Sequence, residues 1–172
     1  MSTATTIRKE VTVNASAEKA FRVFTADFNA WWPSSHHISK VELKEAVIEP
    51  KQGGRWYERG VDDSECEWGR VLTWDPPHRL VLAWQLTANY EYDPNFETEV
   101  EVTFEAKGPN TTLVVLQHKY LDRYGENQEK VVKSVGNEDG GWGGIMNLYA
   151  AKANENAAAF DDATRKLVAT ME

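Results

Sequence analysis

Apolar and β-branched residues fall in several short runs within the first 120 positions, some strictly alternating with polar ones, and towards the end of the chain the apolar ones recur every three to four. Alternation places one set of side chains on one face of a strand, whereas the longer spacing draws a stripe along a helix. Thr5–Val13 alternates and is β-branched, which predicts a first strand. Ser16 then offers an N-cap, and Ala20, Phe21, Phe24 and Phe28 keep helical spacing as far as Trp31-Trp32-Pro33, where the helix must end. Ser34–Ile38 reads as a loop.

Further strands are predicted over Leu43–Glu49, Arg55–Arg59 and Glu67–Trp74. They are joined by turns at Pro50–Gly54 and Val61–Ser64. Asp75-Pro76-Pro77-His78 connects to a strand with Leu80, Leu82 and Trp84 on one face and Val81 and Ala83 on the other. After a polar loop over Ala88–Asn95, Val100, Val102 and Phe104 alternate with Glu99, Glu101 and Thr103, the mark of a half-buried strand. Gly108-Pro109-Asn110 turns this into Leu113–Tyr120, with Val114, Leu116, His118 and Tyr120 on one face.

A linker carrying Gly125, Gly136, Gly140 and Gly141 follows. From Trp142 the stripe runs through Ile145/Met146, Tyr149, Ala153, Ala157, Phe160, Thr164, Leu167/Val168 and Met171. Unbroken, that helix would be about 40–45 Å long, more than a small domain is wide. It is therefore expected to break near Asn154–Asn156, or to project over 156–172 and pack on a partner chain. The fold class is α+β: a curved antiparallel sheet wrapped around a long C-terminal helix, the helix-grip plan.

At 172 residues the chain suits one domain over 1–172 with a single core. Seven tryptophans are many for this length and favour an aromatic interior or pocket. The net charge of −8 argues against nucleic acid or an anionic membrane as a partner, because both are held by basic patches. Cys66 is the only cysteine, so no internal disulfide forms, which fits a reducing cytoplasm. Met1–Glu10 lacks the order of a secretion signal, and no apolar run is long enough to span a bilayer.

Several motifs appear in one order: Phe21-x-x-Phe24-Thr25 before Trp31-Trp32-Pro33, then Gly53-Gly54-Arg55-Trp56 and Gly69-x-Val71. Pro76-Pro77-x-Arg79-Leu80, Ala83-Trp84 and Gly141-Trp142 complete the series. Over Ile7–Tyr149 the chain resembles activator-of-heat-shock-protein-ATPase-like proteins of the START/SRPBCC superfamily. That superfamily, of bacterial and other members, also holds polyketide cyclases and pollen-allergen-type lipid binders. The resemblance implies the helix-grip fold with an internal cavity, and members bind, transport, cyclise or act as co-chaperones. The co-chaperone itself carries a separate client-binding domain ahead of this fold, whereas this chain opens on the first strand.

Candidate chemistry centres on the space between sheet and helix. Trp56, Trp84, Trp142, Met146 and Tyr149 are expected to line it, with Trp32 and His37 at its mouth. His118 falls in phase with Val114 and Leu116, so it points inward, either as a hydrogen-bonded core residue or as a polar anchor and general base. Glu58 shares a face with Trp56, which makes it a second candidate acid/base or, equally, an exposed strand carboxylate. His36-His37, His78, His118 and Cys66 match no zinc spacing, so neither metal nor cofactor is expected. No nucleophile elbow or phosphate-binding glycine loop is present.

Three readings remain open. The first is a module that binds a small hydrophobic or aromatic molecule. The second is a cyclase- or hydrolase-like enzyme using His118 or Glu58. The third is a co-chaperone-type interaction domain that uses an outer sheet face or the projecting helix end, with a homodimer as one form. The apolar pocket set and the incomplete catalytic set favour the first, a binding protein rather than an enzyme.

Overall fold

The structure is a computed structural model that describes residues 5–154. Strand β1 (Ile7–Val13) leads to helix α1 (Ala17–Thr25), capped by Ser16 Oγ, which accepts from the Lys19 N–H at 3.2 Å. A short helix α2 (Phe28–Trp31) follows. Then come β2 (Leu43–Ile48), β3 (Arg55–Gly60), β4 (Glu65–Asp75), β5 (Arg79–Trp84), β6 (Thr98–Gly108) and β7 (Thr111–Lys119). Beyond them lie a 3-10 stretch (Leu121–Asn127), helix α3 (Gln128–Val135) and the final helix α4, described over residues 142–154.

The strands form one antiparallel sheet in the order β1-β7-β6-β5-β4-β3-β2. It curls around α4, so the α+β helix-grip plan holds. Each strand neighbours the next in sequence except β1, which closes on β7 in the register Ile7↔His118 to Val13↔Thr112. The inner face carries Leu80, Leu82, Val100, Val102, Val114 and Leu116, all essentially inaccessible to water. Burial on this scale drives folding, at about 1.5–3 kcal/mol for each large apolar side chain. The outer face is charged and laced with cross-strand pairs, such as Arg59 to Glu45 at 3.1 Å and to Glu65 at 3.0 Å.

Two expectations are corrected. The glycine-bearing linker contains α3, whose Val131 and Val135 are buried one turn apart and whose Glu129 and Lys133 pair at 3.1 Å. Tyr120 leaves the inner face of β7, because its backbone turns to φ 64° and the side chain is exposed. The expected break near Asn154–Asn156 and the tail over 156–172 fall at and beyond the end of the described residues.

Helix α1 lays Phe21 and Phe24 across one end of the sheet, with Phe21 edge-on to Phe104 at 5.1 Å. Phe24 in turn meets Tyr149 of α4 at 5.1 Å, and the Tyr149 hydroxyl donates to Ala20 O at 2.8 Å. This end is solid aromatic packing. The opposite end of α4 is not filled, and the cavity lies there.

Candidate functional site: a tryptophan-walled cavity

A cavity of about 260 Å³ opens between the start of α4, the end of α3, the loop after α2 and the adjoining ends of β4 and β5. Trp32, Trp68, Trp84 and Trp142 wall it, with Leu86 and Ile145 between them. Its rim holds Ser35, His36, His37, Tyr90 and Ser134. Trp68 comes inward through a β-bulge. Trp56 pairs with Gly69 and Tyr57 with Glu67, so Trp68 is the extra residue and shares the inner side with Gly69.

The indole N–H groups of these walls are engaged by the protein. Trp32 Nε1 donates to His36 O at 2.9 Å, Trp68 Nε1 to Glu58 Oε1 at 2.8 Å, and Trp142 Nε1 to His118 Nδ1 at 3.0 Å. The Trp84 indole turns to the Tyr124 hydroxyl, which itself donates to Leu86 O at 2.7 Å. With their N–H groups tied to the protein, the rings contribute apolar surface to the cavity.

His118 and Glu58 stand behind these walls. Because Trp142 donates to Nδ1, the His118 proton sits on Nε2, which donates to Thr98 Oγ1 at 2.8 Å. Thr98 passes the chain on to Trp84 O at 3.3 Å. Complete burial pushes the imidazole down to about 3, so it is neutral at physiological pH. Glu58 is equally buried. It accepts from Ile38 N at 2.6 Å and Ser39 N at 3.2 Å besides Trp68, and so clasps the mouth loop to the sheet.

Of the residues singled out in the sequence, Trp32, His37, Trp84 and Trp142 meet at the cavity. Trp56, Glu58, His118, Met146 and Tyr149 are buried in the core behind it. Trp68, Leu86, Tyr90 and Ser134 are lining residues that the periodicity did not single out, and Ile145, part of the helical stripe, joins them at the cavity. The Tyr90 hydroxyl bonds Ser134 Oγ, linking the loop after β5 to α3 across the rim. Among the described residues no three His, Cys, Asp or Glu converge as metal ligands, and no helix is long and apolar enough to cross a membrane. A broader groove of about 520 Å³ lies elsewhere, lined by Ser16, Glu18, Pro77, His78, Phe104 and Glu105, without the aromatic walls.

Residues 14–148 match the profile of the Activator of Hsp90 ATPase homolog 1-like protein family, and the chain belongs to that family. Among solved structures it is similar to the anthrahydroquino-gamma-pyrone synthase Txn09, with 37% identity and a TM-score of 0.61 over 86% of this chain and 96% of that one. It is also similar to CalC, a self-sacrificing resistance protein from Micromonospora echinospora, with 33% identity and a TM-score of 0.64 over 88% and 95%. A Rhodobacter sphaeroides protein at 23% identity, TM-score 0.62, covering 91% and 95%, shares the fold. No curated protein matches the chain significantly in sequence.

Proposed function

We propose that this protein binds a small hydrophobic or aromatic molecule in the cavity between the sheet and α4. The observation that carries this reading is the set of four indoles, Trp32, Trp68, Trp84 and Trp142, facing one space of about 260 Å³. Aromatic walls of this kind suit an apolar or aromatic molecule, and burying one is favourable at about 25 cal/mol per Å² of apolar surface. Native mass spectrometry of freshly purified protein tests it, together with titration by naphthalene followed by tryptophan fluorescence. A retained small mass, or saturable quenching that Trp142→Ala abolishes, is the expected result. A bare protein whose fluorescence naphthalene leaves unchanged would falsify the binding reading.

The likeness to a synthase at 37% identity favours a second reading, in which the bound molecule is also converted. In that reading His118 and Glu58 act by holding the walls and the mouth loop, since the His118 nitrogens and the Glu58 oxygens already have protein partners.

A further inference from the structure

The cavity's polar groups are unequally available, and the difference selects a kind of ligand. The four wall indoles spend their N–H groups on the protein. His36 spends both nitrogens: Nδ1 accepts from Ser35 Oγ at 3.0 Å and Nε2 donates to Gly140 O at 2.6 Å. The Tyr90 and Ser134 hydroxyls bond each other, which leaves one O–H and oxygen lone pairs at the rim, and Ser35 Oγ keeps its lone pairs as well. Among the ring nitrogens His37 differs from His36. Its Nδ1 lies 2.8 Å from Ser39 O, a carbonyl that can only accept, so Nδ1 carries the proton. In the neutral ring Nε2 is then an acceptor, and it meets no partner among the described residues.

Charge narrows the choice further. No Lys, Arg, Asp or Glu is among the residues lining the cavity. A carboxylate or phosphate buried between the indoles would find no cation, and an unpaired buried charge is expensive. A quaternary ammonium could rest on the indole faces but would leave the His37 lone pair unmet. An uncharged ring with a hydroxyl satisfies both surfaces.

Building on the cavity reading above, we infer that the ligand is an uncharged aromatic molecule bearing a phenolic or enolic hydroxyl, which donates to His37 Nε2 while its rings lie against the tryptophans. His37 is then the specificity-determining residue of the site. Its removal leaves the apolar walls intact but takes away the reason to prefer a hydroxyl.

The test uses 2-naphthol, naphthalene, 2-naphthoate and tetramethylammonium as probes, titrated into the full chain by tryptophan fluorescence and calorimetry. Wild type is expected to bind 2-naphthol more tightly than 2-naphthoate or tetramethylammonium. In His37→Leu the ratio of 2-naphthol to naphthalene affinity should fall about three- to tenfold, the effect of one net hydrogen bond, whatever the shift in naphthalene affinity itself. His37→Gln, whose amide oxygen can accept, should recover part of that ratio. Retained naphthalene binding shows that each variant is folded. An unchanged ratio in His37→Leu overturns the inference while leaving the cavity reading standing, as does tightest binding of 2-naphthoate or tetramethylammonium. If neither naphthalene nor 2-naphthol binds the wild type, the cavity reading fails and takes the inference with it.

Discussion

His118 shows how one buried polar side chain can organise a site that it does not line. It receives the Trp142 N–H on one nitrogen and donates to Thr98 from the other, so it ties α4 to β6 and, through Thr98 to Trp84 O, to β5. Such a ring must stay neutral, because protonated Nδ1 could not accept from Trp142. Burial lowers its pKa from 6.5 to about 3, and this sets the direction of a pH effect. Between those values the unfolded chain binds a proton that the folded chain refuses, so stability is full above about 6.5 and drains away as pH falls towards 3. At about 1.4 kcal/mol per pH unit, His118 is expected to cost the fold about 2 kcal/mol between pH 7.5 and pH 5. Urea denaturation at the two pH values, on wild type and His118→Gln, measures it. Glutamine keeps one donor and one acceptor but does not titrate, so the variant should lose much of the pH sensitivity. Equal sensitivity in both proteins would mean that other groups carry it.

At the scale of elements, the bulge in β4 decides which tryptophans reach the cavity. Gly69 pairs with Trp84 of β5, and a Cβ there would lie 1.7 Å from Ala83 O. Backbone cannot yield as a flexible side chain does. Gly69→Ala is therefore expected to destabilise by about 3 kcal/mol or more, read as a lower urea midpoint or as loss of soluble protein. A variant with a wild-type midpoint would show that the strands are not this close.

The same bulge explains what the sequence could and could not disclose. Strict alternation from inward Val71 places Trp68 outside, and only the extra residue opposite Trp56 and Tyr57 turns it in. The inward face of β6 was legible because Val100, Val102 and Phe104 alternate with polar residues, and the succession of strands because turn residues separate them. Helix α3 was hidden because its short run of Val131, Val132 and Val135 is β-branched and lies between glycines, which read as linker. With it went Ser134 and Val135, two of the lining residues. Trp56, Met146 and Tyr149, expected to line the cavity, are buried but lie outside the set of residues that line it. Periodicity tells inside from outside, whereas a cavity is set by where packing stops.

For the whole molecule, what matters is that the cavity is assembled from stretches far apart in the chain. Trp32 and His37 come from the loop after α2, Trp68 and Trp84 from mid-sheet, Ser134 from α3, and Trp142 and Ile145 from α4. A ligand that touches all of these stabilises them together. With 2-naphthol at a hundred times its Kd, linkage gives about 2.7 kcal/mol of added stability. The outer sheet face, with its exposed pairs such as Arg70 to Glu97 at 3.0 Å, offers a small aromatic molecule nothing comparable. Nor does the broad groove near Pro77 and Phe104, which lies away from the tryptophan walls. Hydrogen exchange should therefore place the ligand. Amides that open locally around Ser35–Ile38, Tyr90 and Ser134–Gly141 are expected to slow on adding 2-naphthol. Those in the turn between β6 and β7, at Pro109–Thr111, should keep their local exchange rate. Protection centred instead on Pro77–His78 and Glu105–Gly108 would move the binding site to the outer groove and leave the tryptophan cavity as packing alone.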